Sequence, residues 1–392
     1  MIKVLHFTSW YPNRLSIQEG DFIQRQIQAV SLFTPTELLF VKKDPGMRST
    51  GEESATSYHG NLAETIVYYN PLRTHIPLLD RLISHLRYLR VFKKEFKRRL
   101  EKNGRPDLIH VHVALRAGLV ALWVKRKYGI PYIITEHWCG YKPEDRKGLY
   151  QEASGQRRMT RLLLSQALAL VSVSADLEKS LRILVDHPDI RIIPNVVNED
   201  FFYYKPAPPG KKFRFLHVSS MNYFKNAEGI FTAFDKLAQQ DDEVELVCVG
   251  PLEPALEKWV GQSISEKGRK QILFKGVRAY EEVAVFMRES AVLIVNSLFE
   301  TFSCVGAEAL VSGLPVISTP VGVLPELITG ENGLLVNDQA GLYEAMQKMR
   351  GNSVYDYNRP AIAFQFKGRF SYQTVGKQLV ALYASFFSRN AG

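Results

Sequence analysis

The sequence predicts an α/β protein made of two consecutive domains, each built on a parallel sheet. The chain has 392 residues, which is more than one hydrophobic core usually holds. Short apolar runs rich in β-branched residues alternate with amphipathic stretches, a pattern typical of parallel strands joined by crossover helices. The predicted strands are 3–8, 36–41, 65–70, 108–113, 132–137 and 169–174, and then 213–220, 244–250, 272–277, 291–297 and 315–318.

A turn-rich stretch, FFYYKPAPPGKK at 201–212, separates the two series of strands. We therefore expect an N-terminal domain at 1–204 and a C-terminal domain at 205–369. The remaining segment, 370–392, predicts a final helix, because apolar residues recur there at helical spacing. These residues are Val375, Leu379, Leu382 and Phe386.

Composition excludes several classes of protein. The three cysteines, Cys139, Cys248 and Cys304, show no paired or metal-ligand spacing, so neither a disulfide framework nor a zinc site is expected. The N-terminal sequence lacks the pattern of a signal peptide. The longest uncharged run, 162–175, is shorter than the ~20 residues that span a bilayer. A cytoplasmic protein without a transmembrane helix is the prediction.

Positive charge is concentrated in the first half of the chain. The net charge is +10, and residues 1–204 hold 30 Lys and Arg against 21 Asp and Glu. The segment 81–105 alone has ten basic residues and two glutamates. Five apolar residues lie near one face of this predicted helix: Leu82, Leu86, Leu89, Phe96 and Leu100. Such a helix either binds an anionic membrane or packs its apolar stripe on the sheet. Nucleic acid is not expected, because no recognised binding module accompanies the charge.

The most informative stretch is FETFSCVGAEALVSGLPVIST at 299–319. A buried strand gives way there to a helix that should end at Gly313, with Glu300 in the loop and Glu308 in the helix. Glu308 can accept hydrogen bonds from a ribose diol, and Glu300 from sugar hydroxyls. The alternative is an acidic residue that favours the helix dipole, together with an ordinary surface glutamate.

The start of the same helix is a candidate phosphate site. Backbone N–H groups at a helix N-terminus have no intrahelical partner and carry partial positive charge, so they can cradle phosphate. The residues in that position are Phe302, Ser303, Cys304 and Val305.

Two glutamates separated by seven residues, Glu300 and Glu308, are followed by ALVSGLPVI. This pattern resembles the signature of family 4 glycosyltransferases of the bacterial group 1 type. The resemblance runs along nearly the whole chain. It implies the GT-B architecture: two Rossmann-like domains with parallel sheets facing a central cleft, and a C-terminal helix that returns to the N-terminal domain. It also implies that Glu308 binds the ribose hydroxyls and that Glu300 lies at the donor sugar and diphosphate. Thr301 and Ser303 occupy places where the family often has glycine.

The segment SSMNYFKNAEGI at 219–230 resembles the diphosphate-binding segment of that family. The resemblance implies that Lys225 contacts the donor phosphates. Ser220 stands where the family commonly has an arginine, so one positive charge is missing or is supplied by Arg278 or Arg14.

Four further residues are assigned by the resemblance. ILFKGVRAYEEV at 272–283 resembles the segment that meets the nucleotide base, which places Val277 and Arg278 beside the base. His137 corresponds to a histidine near the transferred sugar, where its neutral form can donate to a hydroxyl. Gly20 lies in the first βα turn, where the family often has two glycines at the donor phosphate and acceptor.

The resemblance implies a retaining glycosyltransferase of class EC 2.4. It would move a sugar from a nucleotide-diphosphate-sugar, UDP- or GDP-linked, to a hydroxyl of a glycan or lipid-linked acceptor in cell-surface polysaccharide or glycolipid synthesis. His137, Lys225 and Glu300 would be catalytic, with no tightly bound cofactor and no metal. A cytoplasmic enzyme, peripheral at the inner membrane face, fits the basic segment 81–105.

Two other functions remain open from the residues. One is a nucleotide-sugar epimerase of the same architecture, which needs no acceptor. The other is a non-catalytic subunit that binds a nucleotide-sugar or polysaccharide. A dehydrogenase and a P-loop NTPase are disfavoured, because neither G-x-G-x-x-G nor G-x-x-x-x-G-K-[ST] is present where it would be needed.

Overall fold

The computed structural model describes residues 2–47, 51–71, 74, 76–142, 145, 148–152, 154–206, 212–353 and 357–387. The chain forms two compact units. The first unit comprises Met1–Val196 and Tyr372–Gly392, and the second comprises Val197–Ser371. The sequence placed this boundary after residue 204, within the turn-rich stretch, whereas the division in the structure follows Val196.

The first unit contains an eight-stranded sheet. Its strands are β1 Val4–Thr8, β2 Thr36–Lys43, β3 Glu52–His59, β4 Leu62–Tyr69, β5 Leu108–His112, β6 Tyr132–Glu136, β7 Leu170–Ser172 and β8 Ile190–Ile192. They lie in the order β3-β4-β2-β1-β5-β6-β7-β8. All neighbours are parallel except β3, which pairs with β4 as an antiparallel edge strand.

The first five helices of the first unit are α1 Asp21–Ser31, α2 Pro77–Asn103, α3 Ala117–Tyr128, α4 Ser154–Ser165 and α5 Ala175–Leu184. The last helix of the chain, Tyr372–Phe387, also belongs to this unit. Val375, Leu379 and Leu382 of that last helix are buried in one core cluster with Ala29 and Val30 of α1. The predicted return of the C-terminal helix to the N-terminal domain is confirmed, and the apolar spacing explains it.

The second unit contains a six-stranded, fully parallel sheet. Its strands are β9 Phe213–Val218, β10 Val244–Val249, β11 Ile272–Phe274, β12 Val292–Val295, β13 Val316–Ser318 and β14 Gly333–Leu335, in the order β11-β10-β9-β12-β13-β14. Its helices are α6 Ala227–Ala238, α7 Pro254–Ser263, α8 Glu266–Gln271, α9 Tyr280–Glu289, α10 Cys304–Val311, α11 Leu324–Leu327, α12 Gln339–Lys348 and α13 Arg359–Phe366. The last helix of the chain, Tyr372–Phe387 in the first unit, is α14.

The fold class is confirmed: both sheets are Rossmann-like, and each predicted apolar run forms a strand. Three strands were missed. β3 carries mostly exposed side chains, because as an edge strand it covers little of the core. β8 and β14 have three residues each, too few for an alternating pattern to show.

The segment predicted as a basic helix at 81–105 is α2. Only the second half of its apolar face packs against the core: Phe96 is buried and Leu89 and Leu100 are half-buried. Leu82 and Leu86 are exposed, and among the described residues from Ile76 onward burial begins at Tyr88. The packing interpretation therefore holds for the C-terminal half of α2, while its first three turns project beyond the core. In the part of the chain that the structure describes, no helix is both long and apolar enough to cross a membrane.

Candidate active site

Helix α10 begins directly after the loop that follows β12. It is apolar almost throughout, and its single carboxylate, Glu308, is buried in the second turn. Burying a carboxylate costs free energy unless it accepts hydrogen bonds, so the partners of Glu308 must be hydroxyl or N–H donors. Gly313, with φ of 71°, follows the end of the helix and provides the left-handed conformation predicted for it.

Ser303 precedes α10 in an unusual conformation. Its φ of 76° and ψ of 74° lie in the left-handed region, and its side chain makes no capping hydrogen bond to the helix. The Ser303 hydroxyl is buried and has no hydrogen-bond partner among the described residues. The first N–H groups of α10 are therefore not capped by Ser303, and a hydroxyl donor lies beside them. The left-handed backbone gives a physical reason for the glycine that the resemblance places here.

The other residues predicted at this helix start differ in their surroundings. The Phe302 ring is buried edge-to-face against Phe370, with 5.6 Å between ring centroids. The carbonyl of Phe302 accepts a hydrogen bond of 3.1 Å from the N–H of Val323. Phe302 could therefore contact a ligand only through backbone atoms other than this carbonyl. Cys304 and Val305 are half-buried in the first turn of α10.

Lys225 and Glu300 meet at the carboxyl-terminal edge of the second sheet. The Lys225 ammonium lies 2.5 Å from Glu300 Oε1. The Ser297 hydroxyl donates to the same oxygen at 2.9 Å, and Thr319 Oγ1 donates to the Ser297 carbonyl at 2.6 Å. The structure thus joins two residues that the sequence placed 75 positions apart, and it adds Ser297 and Thr319 as supports that no sequence signal had indicated.

A buried histidine on β9 holds the loop that leads to Lys225. His217 Nδ1 donates to the Ile294 carbonyl at 3.0 Å, so its Nε2 accepts from the Ser219 hydroxyl at 2.7 Å. Ser219 Oγ in turn accepts from the N–H of Met221 at 2.9 Å. Burial and, to a smaller extent, nearby Lys225 lower the pKa of His217 to about 4, so the ring is neutral. Ser220, where an arginine was expected, is exposed in this loop.

Val277 and Arg278 follow a left-handed turn at Gly276. Both are exposed, and Arg278 Nε donates to the Lys275 carbonyl at 2.8 Å. The Gly276 carbonyl accepts from the N–H of Gly250, which ties this turn to the loop after β10. The loop that carries the two residues is therefore held at the same sheet edge as the other donor-site candidates.

Arg14 lies in the first unit and is held there by two carboxylates. Its guanidinium contacts Asp44 and Glu53, each at 2.6 Å. These hydrogen bonds raise the pKa of Arg14 and use its donors. Arg278 also has a carboxylate partner, Glu282, but that contact is longer, at 3.4 Å. Arg278 is therefore the less tightly held of the two candidates to replace the charge missing at Ser220.

His137 follows β6 in the first unit and is buried. Its ring packs on Phe22, with 4.9 Å between ring centroids. Burial lowers the pKa of His137 to about 3, so the imidazole is neutral and able both to donate and to accept a hydrogen bond. The nearest polar ring is His112, whose Nδ1 lies 3.4 Å from His137 Nε2.

The residue before it, Glu136, organises the adjacent loops. Its carboxylate accepts from the Tyr141 hydroxyl and from the N–H of Ala114, each at 2.7 Å. Burial raises the pKa of Glu136 to about 7, although hydrogen bonds from Tyr141 and from backbone N–H groups of Ala114, His137 and Trp138 favour its charged form. Glu136 therefore fixes the backbone on both sides of His137.

Gly20 lies at the start of α1 with a φ of 69°. A Cβ at this position would lie 2.7 Å from the Trp10 carbonyl carbon. The sequence predicted that Gly20 lets a ligand approach the backbone closely. In the structure, a glycine is needed there because the Trp10 backbone itself lies so close.

Three buried histidines of the first unit, His6, His110 and His112, have ring nitrogens within 4.8 Å of one another. Their geometry is that of a stack, because the rings of His110 and His112 lie 4.3 Å apart at an angle of 27°. Lone pairs of imidazole nitrogens lie in the ring plane, so stacked rings do not point them at one ion. Both nitrogens of His110 are also engaged, by Tyr383 and by Thr135 at 2.7 Å.

Comparison with known proteins identifies the class. The model described as Glycosyltransferase Family 4 matches residues 51–201, and the model described as Glycosyl transferases group 1 matches residues 212–352. An uncharacterized glycosyltransferase from Methanocaldococcus jannaschii is 28% identical over 320 residues, which are 81% of this chain and 84% of that protein. The alpha-monoglucosyldiacylglycerol synthase of Streptococcus pneumoniae is 26% identical over 255 residues, which are 60% of this chain and 57% of that protein.

Solved structures share the fold over the whole chain. A sucrose-phosphate synthase from Thermosynechococcus elongatus has a TM-score of 0.79 at 19% identity and covers 99% of this chain and 100% of its own. Anabaena HepE, solved in complex with UDP and glucose, has a TM-score of 0.71 at 16% identity, with coverage of 98% and 100%.

Fold and family together define a glycosyltransferase of GT-B architecture and class EC 2.4. The chain belongs to glycosyltransferase family 4, group 1, whose members transfer sugars from nucleotide-sugar donors with retention of configuration.

Proposed function

We propose that this enzyme transfers a sugar from a UDP- or GDP-linked donor to a hydroxyl of a lipid-linked acceptor at the surface of an anionic membrane. The donor side of the proposal rests on the contact between Lys225 and Glu300 at the sheet edge where α10 begins. The acceptor side rests on the exposed first turns of α2.

Lys225 has the chemistry to stabilise the leaving diphosphate. An ammonium group has three N–H donors, and Glu300 accepts from it at 2.5 Å. Lys225 can therefore neutralise Glu300 and donate to a phosphate oxygen at the same time. Negative charge grows on the diphosphate as the glycosidic bond breaks, so a fixed cation beside it lowers the barrier. Glu300, held in place by Ser297, then accepts from a hydroxyl of the donor sugar.

The rest of the donor is bound around α10. The N–H groups at the start of α10, those of Cys304 and Val305, bind a phosphate, and the buried Ser303 hydroxyl adds one more donor. Glu308 accepts from the ribose diol. Val277 and Arg278 lie beside the base, and Arg278 supplies charge toward the diphosphate.

In the first unit, His137 in its neutral form donates a hydrogen bond to a sugar hydroxyl. Gly20 keeps the backbone of the first βα turn close to Trp10, and so shapes the same edge of the first sheet. Both residues lie at carboxyl-terminal ends of parallel strands, where ligands bind in open α/β sheets.

The acceptor class is inferred from α2. Leu78, Leu82 and Leu86 recur every fourth residue and are 82%, 55% and 57% exposed. Exposed basic residues lie on the same helix, among them Arg81 and Arg90. An apolar stripe flanked by Lys and Arg binds anionic lipid surfaces by partial insertion and by charge. The relative from Streptococcus pneumoniae is named for a glucosylated diacylglycerol, which supports a lipid-linked acceptor.

A donor panel tests the transferase activity. The protein is incubated with UDP- and GDP-sugars, with and without lipid extract, and both nucleotide release and glycolipid formation are measured. We expect release that depends on the acceptor, and its loss in Glu308→Gln. The matched control is Glu344→Gln, an exposed glutamate of α12. Release of nucleotide without acceptor, together with epimerised sugar, would instead indicate an epimerase.

Vesicle flotation tests the membrane proposal separately. The wild-type protein should float with vesicles that contain phosphatidylglycerol and should not float with neutral phosphatidylcholine vesicles. Leu82→Ser combined with Leu86→Ser should abolish flotation, because it removes the inserted apolar area. Ile183→Ser, at a 61% exposed site on α5, is the control and should float normally. Equal flotation of all variants would refute the role of α2.

A further inference from the structure

Arg116 precedes α3 in a strained turn. Its φ of 66° and ψ of −69° are those of the rare form of γ-turn, in which the N–H of Ala117 donates to the Leu115 carbonyl, here at 2.9 Å. Val113, with φ of 67°, is a second residue of this loop with a positive φ. Such conformations cost free energy in residues that have a Cβ, and they cluster at functional sites. The loop after β5 is therefore a place to look for a binding role.

Neighbouring groups of the chain hold this loop in place. The Ser9 hydroxyl donates to the Val113 carbonyl at 3.1 Å. The first three N–H groups of α3 all donate to carbonyls of the loop, and they belong to Ala117, Gly118 and Leu119. Because these backbone donors are engaged, a ligand at this position would be bound by side chains.

The side chain of Arg116 carries a charge that no neighbour neutralises. It is exposed, and it makes no hydrogen bond or ion pair within the part of the chain that the structure describes. Arg14 of the same unit, by contrast, contacts two carboxylates. A guanidinium presents its N–H donors in a planar fork that matches phosphate oxygens. Arg116 is therefore available to bind an anion.

Tyr88 of α2 provides a second, independent observation. The residue is 6% exposed, and its hydroxyl is buried without a hydrogen-bond partner among the described residues. Its ring packs on Phe92, with 5.6 Å between ring centroids, and that ring offers no acceptor to a hydroxyl. Buried hydroxyls normally have a partner, because leaving one unpaired costs free energy. A bound anion would supply the acceptor that the Tyr88 hydroxyl lacks.

Arg116 and Tyr88 lie near each other. Burial raises the pKa of Tyr88, and the charge of Arg116 opposes that shift. The same charge opposes the raised pKa of Tyr69 and adds to the effect of burial that lowers the pKa of His85. Interactions between charges fall with distance, so Arg116 must be close to this group. A distance supports the grouping, because the Tyr69 hydroxyl at the end of β4 donates to the Ser84 carbonyl of α2 at 3.4 Å.

We propose that Arg116 and Tyr88 bind a phosphate group, of the kind that a phosphorylated acceptor carries. The guanidinium donates to two phosphate oxygens, and the Tyr88 hydroxyl donates to one of them. The hydroxyl is closed to solvent in the free protein, so exposed side chains beside it must move aside as phosphate binds, and such side chains change rotamer within nanoseconds. A phosphate site here stands on these residues alone, whereas its role toward the acceptor rests on the proposed function.

Calorimetric titration with glycerol 3-phosphate tests the site without donor or turnover. The wild-type protein should bind it and should not bind glycerol. Arg116→Gln should bind about 10- to 100-fold more weakly, because a charge-assisted hydrogen bond is lost. Arg126→Gln, at an exposed arginine of α3, is the matched control and should bind normally. Phosphate bound at the start of α10 contributes equally to all three proteins, so equal affinities would overturn the proposal.

Tyr88→Phe separates a ligand-binding role from a structural one. The variant should bind glycerol 3-phosphate about 3- to 10-fold more weakly, while its urea midpoint stays unchanged or rises, because the lost hydroxyl has no partner in the free protein. Tyr58→Phe, at a 68% exposed site on β3, is the control and should bind normally. A lower midpoint with unchanged affinity in Tyr88→Phe would make Tyr88 a structural residue and overturn the proposal.

Flotation and turnover distinguish the source of the phosphate. Weaker flotation of Arg116→Gln with phosphatidylglycerol vesicles would identify a lipid head group, and normal flotation with weakened glycerol 3-phosphate binding would identify a soluble phosphate ester. In turnover, Arg116→Gln should raise the KM of a phosphorylated acceptor about 10-fold or more and leave the donor KM unchanged. Weakened phosphate binding in a protein that transfers no sugar would uphold the site and refute the proposed function. Normal binding by Arg116→Gln in an active enzyme would do the reverse.

Discussion

Ser303 offers the sharpest test of how the start of α10 binds phosphate. The residue combines two features that a structural role alone would not retain: a left-handed backbone and a buried hydroxyl without a partner among the described residues. Ser303→Gly removes both the strain and the hydroxyl. Ser303→Ala removes the hydroxyl and keeps the strain, because alanine also has a Cβ.

The two variants differ in stability by a calculable amount. A residue with a Cβ in the left-handed region costs about 1–2 kcal/mol, and the greater freedom of unfolded glycine returns about 0.5–1 kcal/mol of that difference. Ser303→Gly should therefore unfold with about 1 kcal/mol more free energy than Ser303→Ala. Both variants should bind UDP about 10- to 100-fold more weakly than the wild type, because a hydrogen bond to a charged group contributes about 1.5–3 kcal/mol.

Urea denaturation measures the first quantity and titration calorimetry with UDP the second. If Ser303→Gly is less stable than Ser303→Ala, the strain at φ of 76° does not exist in solution. If both variants bind UDP as the wild type does, the hydroxyl is not a ligand, and the start of α10 binds phosphate through its backbone alone.

Two further predictions concern stability. Gly20→Ala should destabilise the fold by about 3 kcal/mol or more, because a Cβ would meet the Trp10 backbone as well as requiring a positive φ. Gly60→Ala, at φ of 58° in open space, should cost only about 1 kcal/mol; equal losses in urea denaturation would contradict the steric explanation. Acid should also destabilise the protein, because five buried histidines have lowered pKa values and the unfolded chain binds more protons below pH 6.5. From pH 7.5 to 5.5 each imidazole that stays neutral in the folded protein loses on the order of 1 kcal/mol, while the raised pKa of Glu136 works in the opposite direction. A net loss of stability is expected in urea denaturation, and unchanged stability would mean that the rings are accessible to protons. The five are His6, His110, His112, His137 and His217.

Much of the fold could be predicted because buried parallel strands leave a strong local signal. Runs such as VLHFT and VELVCV are mostly apolar, and the structure buries them nearly throughout. The short strand β14 and the polar edge strand β3 carry no such signal, because their place in the sheet comes from tertiary pairing.

The sequence indicates where the candidate site residues lie in helices and loops, but not which of them contact one another. The position of Glu308 within a helix follows from the local pattern, and so does that of Lys225 before one. The contact between Lys225 and Glu300 depends on how β9 and β12 lie beside each other in the sheet. The grouping of His6, His110 and His112 depends likewise on the register of β1 and β5, and the left-handed backbone of Ser303 has no signature in a serine. Each of these features depends on the tertiary structure and not on the local sequence.

The central claim is that the second unit binds the donor diphosphate through Lys225 beside Glu300, and calorimetric titration with UDP and GDP tests it most directly. Lys225→Met should weaken binding of the preferred nucleotide about 10- to 100-fold, since it removes a charge-assisted hydrogen bond and leaves Glu300 unneutralised. Adding Glu300→Gln to that variant should recover part of the loss, and Lys258→Met, an exposed lysine of α7, should bind normally. Wild-type affinity in Lys225→Met would contradict the account.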